Sequence, residues 1–275
     1  MSDPIRQPDS GNATISQEDA VRLVELLAQT STYEGDHLAK KRFLLDGLCR
    51  LVDATQWSWA INVFDEDCKP HHAGALQGGF SLEQAECLAT CVNHPATHRV
   101  FAPTYQRIFT QPEPLTIRME DHAGAAEWEK SEASALAAAA GIGTFVSSIC
   151  AVEDHGSSTV TLFRPYGEPP FTDRQRDMLH IIIRGVPWLH TAGWPEDARV
   201  HQIAELPTSH MVLLTLLVKG YSRQDIADVR LLSINTVNTY TQRIFKMFGV
   251  RSQPELMRCF LEGQPEPAND GTDSS

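Results

Sequence analysis

Residues 233–250, SINTVNTYTQRIFKMFGV, combine two patterns. Val237, Tyr240, Ile244, Met247 and Phe248 recur at helical spacing. The remaining face holds Ser233, Asn235, Thr236, Asn238, Thr239 and Gln242, mostly short hydrogen-bonding residues of mediocre helix propensity. Asn and Gln can pair bidentately with adenine, and a Thr methyl can meet the thymine methyl. Arg243, Lys246 and Arg251 follow in positions suited to phosphates. The chemistry on offer is recognition of double-stranded DNA through base edges and backbone. The alternative is a plain polar helix surface.

A reading helix needs a scaffold. Ser222-Arg-Gln-Asp225 is a capping box that opens a preceding helix, and the small Ala227 permits a close helix crossing. A short turn, Arg230-Leu-Leu, leads to Ser233, a natural N-cap. Two short helices joined in this way, with a polar outer face on the second, form the helix-turn-helix pattern. Helices are expected over 208–219, 222–230, 234–248 and 253–262. Between 206 and 260 seven bases face three acids, an excess of four positive charges. The whole chain carries −12, so the remainder carries −16. That asymmetry points to one segment that meets a polyanion.

Residues 206–257 resemble the LuxR-type (GerE-like) helix-turn-helix of bacterial transcription regulators. The resemblance rests on Leu213-Leu214, Gly220, Ser222, Ile226-Ala227, Thr236-Val237, Ile244, Phe248-Gly249-Val250 and Glu255-Leu256, at the family's spacings without a gap. It implies a four-helix, all-α domain that binds an inverted-repeat operator as a homodimer, commonly through its last helix. It also places Asn238, Thr239 and Gln242 at bases and Thr236 at the backbone. A regulator of this kind can also meet RNA polymerase. Five residues depart from the family's pattern. Asn238 stands where many members have Lys, and Tyr240 where many have His. His210 and Val212 replace two usual acids in the first helix, and Arg230 occupies a usually apolar position.

The longer first region mixes strands and helices as in an α+β domain, an antiparallel sheet with packed helices. Ser16-Gln-Glu-Asp19 caps a first helix, and a second runs near 37–53. QWSWAINVF (56–64) reads as a strand, followed by another near 73–77. Ser81 caps a helix that Pro95 should end or kink. A short strand is expected within 111–118 and one helix over 124–140. Strands follow at 144–152 and 158–164, and a last helix is capped by Thr172. The order resembles GAF/PAS-like sensory domains, and PPFTDRQRDMLHIII is similar to the terminal helix of GAF domains. The expected organisation is therefore a disordered tail (1–16), a sensory or dimerisation domain (17–190), a linker (191–205), the helix-turn-helix domain (206–262) and a second disordered tail (263–275).

Trp57 and Trp59 alternate along one strand and share a face. They either pack the core or line a pocket for a small-molecule effector. Cys87, Cys91, His94 and His98 have zinc-ligand chemistry, but on a straight helix the outer two lie about 16 Å apart at 1.5 Å per residue, so no metal or other cofactor is expected. Gly-rich phosphate loops, G-x-S-x-G and paired carboxylates are lacking, which argues against an enzyme. The Trp, Tyr and Asp-Pro spacing of acyl-homoserine-lactone domains and a receiver-type acidic cluster are lacking too. With no signal peptide and no apolar run long enough for a bilayer, the expected setting is cytoplasmic, away from membranes, with reduced thiols. Two alternatives remain in view: a sigma-factor-like promoter-binding protein, and a small-molecule enzyme domain with a regulatory helix-turn-helix tail.

Overall fold

Short oxygen-bearing side chains set the helix starts in this chain. The computed structural model describes residues 15–64, 70–111, 113–122, 124–152, 156–191 and 206–261. The Ser16 hydroxyl accepts from the Asp19 N–H at 3.1 Å, and the Asp19 carboxylate accepts from the Ser16 N–H at 3.0 Å, opening α1 (Gln17–Thr32). Asp36 caps α2 (His37–Leu51). Further capping boxes at Ser81 and Thr172 open α3 (Leu82–Val92) and α7 (Asp173–Gly185). The remaining N-terminal elements are β1 (Gln56–Phe64), β2 (Pro70–Gly78), α4 (Pro95–Thr110), β3 (Leu115–Arg118), α5 (Ala125–Trp128), α6 (Glu132–Ala139), β4 (Thr144–Val152), β5 (Gly156–Arg164) and α8 (Trp188–Thr191).

The fold class is the expected one. Five antiparallel strands form one sheet in the order β2-β1-β5-β4-β3, with helices packed on it. Three boundaries differ from the sequence reading. Pro95 does end α3, but it also opens the unforeseen α4, because an N1 proline gives up only an N–H that has no helical partner. The helix expected over 124–140 is two, since the Ser131 hydroxyl accepts from the Ser134 N–H and starts α6 afresh. The strand within 111–118 shrinks to β3. The linker beyond residue 191, and all but residues 15–16 of the two expected tails, lie outside the described residues.

The two faces of the sheet differ in side-chain size. On one, Trp57, Trp59, Ile61, Val146, Val160 and Leu162 are buried with Leu44, Leu48, Met178 and Leu179 of the helices. On the other stand Ser58, Ala60, Ser147, Thr159 and Thr161, which leave space beneath α3 and α4. Side-chain period two makes both faces from the same strands.

A second, helical unit follows: α9 (Thr208–Val218), α10 (Arg223–Val229), α11 (Ile234–Met247) and α12 (Gln253–Leu261). Every residue of α9 from His210 to Val218 is buried. A helix that is apolar all round needs cover on every side. On one side α9 packs against α10, α11 and α12, and on the other against β2 and α3 of the first unit.

The buried Asp19 carboxylate also accepts from the Arg174 guanidinium, with Nε at 2.7 Å, and so ties α1 to α7. Hydrogen bonding from Arg174 and from the Ser16 N–H holds this carboxyl well below the usual carboxylate range. A depressed folded-state pKa contributes stability that is fully present above the unfolded value, about 3.9, and is lost as pH falls below it. Asp19→Asn should therefore be less stable than the native chain by a constant amount above about pH 5, with the difference shrinking below about pH 4. Urea unfolding at several pH values checks this; a difference independent of pH would contradict it.

Candidate nucleic-acid interface

In the helical unit a capping box again fixes where chemistry can sit. The Ser222 hydroxyl accepts from the Asp225 N–H and opens α10. The chain reverses through Leu231, whose φ of 52° lies in the left-handed region that a bulky side chain seldom enters. The Leu232 N–H donates to the Ala227 carbonyl and closes this turn. Ser233 then caps α11 by accepting from the Thr236 N–H at 3.1 Å. Val237, Thr241, Ile244 and Phe245 are the buried side of α11. Asn235, Thr239, Gln242 and Lys246 form one exposed row at intervals of four, three and four, with Arg243 exposed beside them.

The sequence-singled residues do not all play one part. Ser233 and Thr236 share a hydroxyl hydrogen bond of 2.8 Å within the cap. The Thr239 hydroxyl donates to the Asn235 carbonyl at 2.9 Å. Asn238 is half-buried, and its Oδ1 accepts from Arg223 Nη1 at 3.3 Å. Arg223, not singled out from the sequence, also lies over the Phe245 ring, 5.6 Å from its centroid, so it bridges α10 and α11. Arg251 is exposed just before α12, its backbone N–H donating to Glu255. Two of the seven bases counted in this segment do not join a basic surface. Lys219 Nζ is buried without a hydrogen-bond partner, and burial pushes its pKa down to about 7. Arg230 is committed to the other unit: its Nη1 lies 3.2 Å from Glu86 Oε1 on α3, both side chains half-buried.

Four of the residues that depart from the family pattern thus acquire partners, Asn238 through Arg223. Arg230 meets Glu86 across the two units. His210 and Tyr240 meet each other, their ring centroids 4.3 Å apart, and so join α9 to α11.

The suggested ligand-pocket residues do not line the cavity seen here. Trp57 and Trp59 are 2% and 1% exposed and face the packed side of the sheet. Trp57 Nε1 donates to Asp46, and Trp59 Nε1 donates to Ser158 Oγ. Lys41 Nζ lies 3.4 Å from the centroid of the Trp59 ring. The cavity opens instead on the opposite face, where side chains are small. Alternation along the strand identified a shared face but not which face was roomy. The Cys/His group is dispersed as well: Cys91 Sγ donates to the Ala133 carbonyl, while His94 caps α4. Among the described residues no three His, Cys, Asp or Glu side chains gather as a metal site, and no helix is long and apolar enough to cross a membrane.

The family model of bacterial regulatory proteins, luxR family (GerE), matches residues 210–260. No curated protein matches the chain. Among solved structures, Escherichia coli SdiA is similar at 13% identity and TM-score 0.34, covering 88% of this chain and 97% of that one. SdiA in complex with octanoyl-rac-glycerol gives 12% and 0.37, over 89% and 94%. The N-acylhomoserine-lactone-dependent LuxR-family factor CepR2 of Burkholderia cenocepacia gives 11% and 0.39, over 62% and 94%.

The Arg230–Glu86 pair is open to a double-mutant cycle. Arg230→Ala and Glu86→Ala should each lower stability, with a coupling of roughly 0.2–1 kcal/mol, the range of partly exposed pairs. Urea unfolding of the four proteins measures it; strictly additive losses would mean that the pair does not hold the units together.

Proposed function

We propose, from the premise that residues 210–260 are a LuxR-family helix-turn-helix domain, that the chain is a sequence-specific transcription regulator whose N-terminal unit governs the DNA-binding unit. The observation that carries this reading is the exposed row Asn235, Thr239, Gln242 and Lys246 on a helix anchored through its other face. Such a helix fits the major groove, where its early residues meet base edges. Asn235, Asn238 and Gln242 supply amide pairs for adenine, and Thr239 turns its methyl outward once its hydroxyl is committed to Asn235. Arg243, Lys246 and Arg251 serve phosphates. Arg223 acts through Asn238, by fixing the orientation of its amide.

Control follows from the two-sided burial of α9. A signal in the first unit that alters its grip on α9 shifts the placement of α11, by as much as its affinity differs between the two arrangements. The last helix, through which a homodimer would form on an inverted repeat, touches β2 in this arrangement, so release of the units and pairing of two copies are linked.

Selection of genomic fragments by the purified chain would yield the operator. Asn238→Ala and Gln242→Ala should then each lose about 1–3 kcal/mol at a single base pair and keep non-specific affinity. Arg223→Ala should relax preference at the same base pair as Asn238→Ala, with less than additive loss in the double variant. Equal weakening on every sequence would reject base reading by these residues.

A further inference from the structure

Between α3 to α6 and the sheet face that carries Ser58, Ala60 and Ser147 lies a partly open cavity of about 120 Å³ that the DNA-reading surface does not use. Its walls are apolar and aromatic: Phe101, Trp128 and Phe145 stand around His122, with the Phe101 and His122 rings edge to face at 4.6 Å. No Asp, Glu, Lys or Arg lines it. Burial pushes the His122 pKa down to about 4, so its imidazole is neutral at pH 7. An ion placed here would be desolvated without a counter-charge, a heavy cost.

Three groups in this lining are unsatisfied, the half-buried Gln77 through its Oε1 and two more deeply buried ones. Asn62 is fully buried, and its amide donates to Ser157 and Thr159, yet its Oδ1 accepts nothing. His122 is 5% exposed, and its Nδ1 meets Thr104 Oγ1 while its Nε2 has no partner. A buried acceptor left unmade carries a desolvation cost that a ligand's donor would recover. Size limits the class to one ring, because an apolar cavity of about 150 Å³ holds benzene and this partly open one is no larger.

We propose that this cavity binds an uncharged, single-ring aromatic molecule whose N–H or O–H donates to Asn62 Oδ1, with its ring among Phe101, Trp128 and Phe145. Thr215 of α9 lines the same cavity, so the occupant touches the helix shared by both units. That consequence, unlike the binding itself, rests on the proposed regulatory reading.

Calorimetric titration of the full chain with phenol, aniline, toluene and benzoate tests the binding. Phenol or aniline should bind at least tenfold more tightly than toluene, and benzoate should not bind at neutral pH. Asn62→Leu should abolish the preference over toluene while toluene still binds; His122→Phe, if folded, serves as a second lining change that should weaken the donor-bearing ring. Absence of binding at millimolar phenol and aniline to the folded chain, equal binding of benzoate, or an unchanged preference in Asn62→Leu would overturn the proposal. Operator titration with and without the bound ring separates the two claims. Unchanged operator affinity with intact ring binding rejects control through α9 and leaves the ligand class standing.

Discussion

The arrangement depends on covering α9. From Met211 to Val218 this helix presents Leu, Val and Met in every direction, with Thr215 as its only polar member. A three-helix cover from α10, α11 and α12 reaches only part of that circumference. The remainder is closed by α3 and β2, so a helix of the DNA-binding unit completes the packing of the N-terminal unit. Removing apolar surface from water is worth about 25 cal/mol per Å², so even a modest shared area outweighs a half-exposed ion pair such as Arg230–Glu86. In this account the pair sets register and orientation, while the apolar helix supplies the attachment.

The same economy of alternation organises the sheet. β1, β4 and β5 send Trp57, Trp59, Ile61, Val146, Val160 and Leu162 to one face, and to the other Ser58, Ala60, Ser147, Thr159 and Thr161, spaced among Phe145, Ile149 and Phe163. The first face becomes a core under α1, α2 and α7, and the second becomes the cavity under α3 to α6. On the packed face Trp59 donates to Ser158, and Ser158 meets His190. On the cavity face Asn62 and His122 keep unsatisfied atoms despite deep burial. Such groups are uncommon in folded proteins and call for an explanation, which a bound partner supplies.

Much of this was legible in the sequence because it depends on local chemistry. Capping boxes at Ser16, Ser81, Thr172 and Ser222 placed helix starts that the structure retains, and the polar row on α11 follows from spacing alone. Other features depend on partners far away in the chain. Arg230 looked misplaced in a helix-turn-helix until Glu86, 144 residues earlier, came beside it. His210 and Tyr240 read as two unrelated departures, yet they are one ring contact. The Trp57–Trp59 pair could not be assigned to core or pocket without knowing which face the helices fill. α4 escaped because Pro95 read only as a break, whereas it opens the helix, which also tolerates Pro103 inside it.

The central claim is that the two units share one core through α9 and therefore unfold together. The tryptophans at 57, 59, 128 and 188 belong to the N-terminal unit and none lies in the helical one, so in a Trp194→Phe chain their fluorescence reports the N-terminal unit. Amide-exchange protection of α11 reports the DNA-binding unit. Urea titration of the full chain followed by both probes should give coincident midpoints, the mark of a single cooperative transition. Loss of α11 protection at urea concentrations that leave tryptophan fluorescence native would contradict the shared core.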